Sequence, residues 1–147
     1  MQDPLTTTDG NPPIGIALLK LLRPWQWVKN LLVFAPLLFA HQVSDSSLAL
    51  QGLIAFAALS LVASAVYVIN DWADVDADRL HPTKKNRPVA SGVISSRLCW
   101  PIAVVLILSG FAIAIGVSNS KFTCALVTYF VLTTGYTFYL KRMVIVD

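Results

Sequence analysis

The chain has 147 residues, of which 56% are hydrophobic and 13% charged, with a mean hydropathy of +0.67 and no glutamate. A soluble domain carries about 25% charged residues, so this composition excludes one and points to an integral membrane protein. The formal net charge is +3, but the cations sit at the ends of apolar segments; that argues against a nucleic-acid surface and makes them topology signals.

Met1 to Pro13 is polar, with Pro4, Pro12, Pro13 and three consecutive threonines. It carries acids instead of a basic n-region, so it is expected to be a flexible tail (1–13) and not a signal peptide. Ile14 to Leu22 is apolar apart from Lys20. It is too short to span, and is either an interfacial helix or the first turns of the following span.

Arg23-Pro24-Trp25-Gln26-Trp27-Val28-Lys29-Asn30 opens the first expected span, about 24–40. Proline is tolerated in a first helical turn, and two tryptophans suit the headgroup level. Arg23 and Lys29 have a bland account, snorkelling to the headgroups. A sharper one has Lys29 and Asn30 facing a polar cavity, since polar groups inside a bundle are costly unless paired or used. Pro36 is expected to kink this span. His41 to Ser47 is a short loop without Lys or Arg, and the lone His41 receives no role.

Ser46 to Asn70 runs 25 residues without a charge, enough for a second span (about 48–70). Its small residues, among them Ala57, Ser60, Ala63 and Ser64, permit close helix contact. Tyr67 faces either the interface belt or the same cavity as Asp71. Spans three and four are expected at about 100–117 and 122–140, with a site loop over 71–99.

Asn70, Asp71, Asp74, Asp76 and Asp78 crowd together where the second apolar run ends, and Arg79, Lys84, Lys85 and Arg87 come directly after. If the helix continues through Asp78, then Asp71, Asp74 and Asp78 stand at i, i+3 and i+7 on one face, with Asn70 at its edge. Like charges so stacked repel unless a cation lies between them. A magnesium ion carrying a diphosphate meets that need, because it takes one or two carboxylates and leaves other positions to phosphate. Lysine and arginine would hold the remaining phosphate oxygens. A solvated, charge-balanced loop is the competing account; acids on one face at the mouth of an apolar segment favour a site. Asp76 and Trp72 point off that face.

Lysine and arginine number three up to Lys29, none in the first loop, five in the Asp-rich loop, one at Lys121 and two at Lys141-Arg142. The alternation makes the N-terminus, the Asp-rich loop and the Lys141 end cytoplasmic. Cys99 and Cys124 then lie at opposite ends of the bundle, too far apart for a disulfide, and they form no metal motif.

Asn70-Asp71-x-x-Asp74-x-x-x-Asp78 at the end of a second membrane helix resembles the first aspartate motif of the UbiA intramembrane prenyltransferase superfamily. Arg23-Pro-Trp-Gln-Trp-Val-Lys29-Asn30 with the adjoining LLVFAPLLFA is similar to the opening of the decaprenyl-phosphate phosphoribosyltransferase branch. So is Asp78-Arg79-x-His81-Pro82-Thr83-Lys84-x-x-Arg87-Pro88 to the loop after its motif. Tyr136-x-x-Tyr139-Leu140-Lys141-Arg142 and Asp147 also match the family pattern. The resemblance runs from about Leu21 onward.

The resemblance implies an all-α polytopic transmembrane helix bundle of about nine spans around a cavity open to lipid, in a cell (plasma or inner) membrane. Two aspartate motifs there bind a magnesium-bound diphosphate. In the phosphoribosyl branch the donor is 5-phosphoribosyl diphosphate and the acceptor a polyprenyl phosphate, and the product serves cell-wall arabinan synthesis. In other branches the donor is a prenyl diphosphate and the acceptor an aromatic ring or haem. Carried over, Asn70, Asp71, Asp74 and Asp78 would hold metal and diphosphate, and Lys84 and Arg87 would meet phosphate oxygens. Lys29 and Asn30 would line the cavity, with Lys141 and Arg142 at its rim.

The chain departs from the pattern in having about four spans and no second aspartate motif, so residues 14–147 are expected to be the N-terminal half of such a domain. It is then either a truncated sequence or a product needing a missing half, inactive alone. The expected function is phosphoribosyl transfer to polyprenyl phosphate. The alternatives are a prenyltransferase of the same superfamily and a non-catalytic four-helix membrane protein. A transporter would place its charges near the bilayer midplane; here they cluster at one end.

Overall fold

Pro24 and Pro36 punctuate the first helical segments of the chain, and the helix changes type at each. The computed structural model describes residues 10–117, 119–141 and 143; among these, every regular element is helical. Helix α1 (Ile14–Leu22) ends at Arg23, whose left-handed backbone (φ 52°) sends its N–H to the Leu19 carbonyl at 3.1 Å. Pro24 then opens a 3-10 helix, Pro24–Phe34, and Pro36 lies in the first turn of the short α2 (Ala35–Phe39). The missing N–H costs little at both places, because first-turn donors have no intrahelical partner.

The first expected span is therefore not one kinked α-helix. Hydropathy does not distinguish 3-10 from α-helix. The difference matters for length: at roughly 2.0 Å per 3-10 residue against 1.5 Å in an α-helix, the stretch reaches about 30 Å if straight, a hydrocarbon thickness.

Helix α3 (Ser46–Ala73) is the hub. Asp45 caps it, its carboxylate accepting from the N–H groups of Ser47 and Leu48 at 2.9 and 3.2 Å. Ser95 and Asn119 cap α5 (Ser96–Gly116) and α6 (Ser120–Gly135) in the same way. A π-helical turn, Tyr136–Leu140, prolongs α6. Among the described residues, three helices are long and apolar enough to cross a membrane: Ser46–Ala73, Ser96–Gly116 and Ser120–Leu140.

Close approach to α3 depends on glycine. A Cβ on Gly110 of α5 would meet Val62 Cγ2 at 2.7 Å and the Ala58 carbonyl at 3.0 Å; one on Gly52 would meet the Phe34 ring at 2.7 Å. In lipid such small residues let backbones approach and dispersion replace the hydrophobic effect as the attraction. One buried cluster joins α3, α5 and α6 through Ala58, Val62, Ala114 and Leu126. A second, through Leu21, Val68, Val89, Ile94 and Cys99, ties α1 and the loop after α3 to the charged end of the bundle. Cys99 is buried and Cys124 exposed, both as free thiols.

The helix that carries the aspartates is interrupted once. Helix α3 ends at Ala73, Asp74 adopts φ −95°, ψ 3°, and α4 (Val75–Leu80) resumes. Backbone bonds bridge the break, Asp74 N–H to Asn70 O at 2.9 Å and Asp78 N–H to Asp74 O at 2.8 Å, so the direction of the helix is carried past it.

Candidate functional site

Asp71 stands in the last turn of α3, 2% exposed, and Asp78 in α4 is 3% exposed. Buried carboxylates need cations or donors close by. Arg23 Nη2 donates to Asp71 Oδ1 at 2.6 Å, and Arg87 Nη1 reaches the same oxygen at 3.4 Å and Asp78 Oδ2 at 2.8 Å. Arg87 sits after the 3-10 turn Lys84–Asn86, and the loop beyond it is pinned by buried Val89 and Ile94. The i, i+7 pair thus shares a face and one guanidinium. Asp74 faces elsewhere: its Oδ2 pairs with Lys141, just past the π-turn. A π-turn changes the facing of the residues after it relative to a continuous α-helix. Lys141 is the first of those residues, while Thr137 within the turn donates to Asn70 Oδ1.

Among the described residues, two cavities flank this end of α3. The first, about 420 Å³, is lined by Lys20, Arg23, Trp25, Asp71, Thr83, Asn86, Arg87 and Pro88. The second, about 290 Å³, lies between α3 and α6 and is lined by Val66, Tyr67, Asn70, Tyr129, Leu132, Thr133, Tyr136 and Thr137. The first is bordered by three cations; the second is mostly apolar and aromatic. Adjacent residues Asp71 and Asn70 therefore face different cavities.

The structure brings together Asn70, Asp71, Asp74, Asp78, Arg87 and Lys141 at one end of the bundle. Lys29 and Lys84 are exposed and outside this cluster, and Asn30 bonds Ser60 Oγ at 3.1 Å. Neither Lys29 nor Asn30 lines the two cavities. Arg142 lies outside the described residues, as do Asp147 and most of the expected tail. Asp76 is exposed, in a 3.7 Å pair with Arg79, and Trp72 packs edge-on against Trp100, both off the cluster.

Sequence reasoning missed Arg23, which also lies over the Tyr67 ring at 5.0 Å, within cation–π range. Its signal was a cation beside Pro24, read as a headgroup contact. Thr137 was missed as well, although it lies one turn before Lys141.

Among the described residues no three acidic, histidine or cysteine side chains are gathered as a metal site; each carboxylate is held by a cation instead. The donors still fit a hard dication. All are oxygen, as magnesium and calcium prefer, and Asp71 Oδ2 is buried with no hydrogen-bond partner, which leaves it one coordinating oxygen free.

These features define a polytopic helical membrane protein with a cation-fenced aspartate cluster at one end of its central helix. Residues 30–147 match the model of the UbiA prenyltransferase family, and the chain belongs to that family. Members of it generally depend on a divalent metal. The chain is 39% identical over 145 residues to the decaprenyl-phosphate phosphoribosyltransferase of Corynebacterium glutamicum, covering 92% of this chain and 42% of the relative. With the same enzyme of Mycobacterium tuberculosis the identity is 37% over 150 residues, 99% and 49% of the two chains. The protoheme IX farnesyltransferase of Cereibacter sphaeroides is 34% identical over 128 residues, 83% and 39%. The chain thus spans about half the length, or less, of these curated relatives.

Proposed function

We propose that this chain carries the first aspartate site of a magnesium-dependent membrane transferase. It would move 5-phosphoribose from 5-phosphoribosyl diphosphate to a polyprenyl phosphate such as decaprenyl phosphate. The observation that carries the reading is Asp71, buried with one oxygen free and fenced by Arg23 and Arg87 at a cavity bordered also by Lys20. A soluble donor with several phosphates suits that cavity, and the named activity of the corynebacterial and mycobacterial relatives supports the choice.

Asp71 and Asp78, which share a face, would hold magnesium, joined by Asp74 and Asn70 once these turn from Lys141 and Thr137; when bound, the metal supplies positive charge for the diphosphate oxygens. The chain's own cations do the rest. Arg87 and Lys141, now paired with carboxylates, are placed to turn to the diphosphate oxygens as the C1–O bond of the ribose breaks and an acceptor phosphate oxygen attacks that carbon. Burial of the cluster strengthens each of these attractions over its value in water. The alternation of Lys and Arg between segment ends supports a cytoplasmic aspartate site in the cell (inner) membrane, facing soluble phosphorylated metabolites.

A second reading, prenyl transfer from a prenyl diphosphate, draws on the apolar second cavity and on the farnesyltransferase relative. Membranes from cells expressing the gene that carries this chain, given magnesium, labelled 5-phosphoribosyl diphosphate and polyprenyl phosphate, test the choice. Label in the lipid, lost in Asp74→Asn, is the expected result. Turnover of a prenyl diphosphate instead selects the second reading, and inactivity with both donors leaves a non-catalytic bundle.

A further inference from the structure

Helix α3 grips the first segment of the chain at three levels. Asn30 Nδ2 donates to Ser60 Oγ at 3.1 Å, Trp27 Nε1 to Ser64 Oγ at 2.9 Å, and Arg23 to Asp71 at 2.6 Å. Residue numbers fall on one side as they rise on the other, so the two segments run antiparallel along one polar stripe of α3. At the middle level the bond continues: Ser64 Oγ donates to the Leu22 carbonyl at 2.7 Å.

We propose that Ser64 and Trp27 are positioning residues, whose relay to Leu22 sets Arg23 against Asp71. The proposal rests on the reading of Asp71 as a site residue.

The direction of the relay is unambiguous, because an indole N–H only donates and a carbonyl only accepts, which leaves the serine hydroxyl one role toward each. Its end point has a reason. In a continuing α-helix the Leu22 carbonyl would take the N–H of Gln26, but that N–H bonds Arg23 O at 2.9 Å. The hydroxyl of Ser64, fully buried, supplies a donor. The corner it ties down is the one where Arg23 holds φ 52°, a conformation that a residue with a Cβ keeps where its surroundings impose it. From that corner the guanidinium reaches over Tyr67 to Asp71. Removing the hydroxyl leaves both the Leu22 carbonyl and the Trp27 N–H unpaired in a partly buried place, and frees the corner that aims Arg23.

The test measures coupling between Arg23 and Asp71 in the full protein in detergent micelles. Melting midpoints are taken for Arg23→Gln, Asp71→Asn and both together, first with Ser64 and then with Ser64→Ala. The excess of the double variant over the summed singles is expected to shrink at least about two-fold without the hydroxyl. The same cycle on Asp74 and Lys141, with Asp74→Asn and Lys141→Gln, is expected to keep its value. Equal Arg23–Asp71 coupling in both backgrounds overturns the proposal, and so does an equal loss in both cycles, which marks general loosening. Should Ser64→Ala fail to fold, Ser64→Cys, close in size with a much weaker donor toward Leu22, carries the same comparison. Transfer assays on the same variants keep the two readings apart: inactivity of every variant and the wild type sinks the reaction, while the melting cycles still decide the relay.

Discussion

Asp71 and Asp78 share one nitrogen of Arg87, at 3.4 and 2.8 Å. Both carboxylates are almost fully buried while Arg87 keeps 28% of its side-chain exposure, so the arginine serves as a bridge that a bound ligand can compete for. Removing it strands Asp78, whose other described contacts are backbone, and leaves Asp71 to Arg23 alone. Arg87→Gln is therefore expected to cost about 3–5 kcal/mol of stability, the range for breaking a buried pair from one side. Asp78→Asn added to Arg87→Gln should recover part of that loss. Reversible unfolding in micelles checks both. Arg87→Lys is expected to fall between, since an ammonium keeps the charge but loses the planar guanidinium geometry that sets one nitrogen between the two acids.

The bridge also bears on metal binding. If a dication takes the oxygens of Asp71 and Asp78 along with Asp74, it stabilises the folded protein by mass action, about 2.7 kcal/mol at one hundred times its dissociation constant. Magnesium is expected to raise the melting midpoint of the wild type and to leave that of Asp74→Asn/Asp78→Asn unmoved. Chelation should abolish transfer, and readdition of magnesium should restore it.

Lys141 makes a different prediction, because its partner Asp74 lies on the α6 side and both are partly exposed. A pair so placed contributes little to stability, whereas a cation aimed at a departing diphosphate acts on rate. Lys141→Met is expected to lower kcat/KM for the donor on the order of 10²-fold with a melting midpoint close to wild type. A large loss of stability with unchanged kinetics would make the lysine a structural tie.

Much of this arrangement is legible in the residues alone. The run without charge from Ser46 to Asn70 brackets most of α3, and the i, i+7 spacing puts Asp71 and Asp78 on one face because helix geometry is local. The contacts between segments are not legible in that way. Arg23 meets Asp71 from 48 residues away and Lys141 meets Asp74 from 67, and both depend on how far one helix slides along another. The serines of α3 read as small packing residues; Ser60 and Ser64 instead accept from Asn30 and Trp27, since size and hydrogen bonding are read from the same side chain. The break at Asp74 escaped too. Asp74 stands where an N-cap of α4 would, but its carboxylate goes to Lys141 and not to the helix.

Packing of α5 on α3 gives a prediction independent of function. A methyl group at Gly110 has no room beside Val62 and the Ala58 backbone, whereas one at Gly116 meets nothing within 4 Å. Gly110→Ala is expected to destabilise by about 1–3 kcal/mol, the usual cost of overpacking, and Gly116→Ala to be near neutral. Equal effects would mean that α5 does not sit on α3 in this register.

The orientation can be read from the two ends of the bundle. Ser91 lies exposed in the loop that carries Arg87, and Ser120 lies exposed at the start of α6, and α5 separates them with a helix of crossing length. In a background with Cys99→Ala and Cys124→Ala, a cysteine at either site reports the compartment it faces. Ser91→Cys is expected to react with a membrane-impermeant maleimide only in inside-out vesicles, and Ser120→Cys only in right-side-out cells. That result puts Asp71 and its cations on the side with soluble diphosphates. The reverse pattern would leave the donor on the wrong side of the membrane, and the proposed reaction would fail with it.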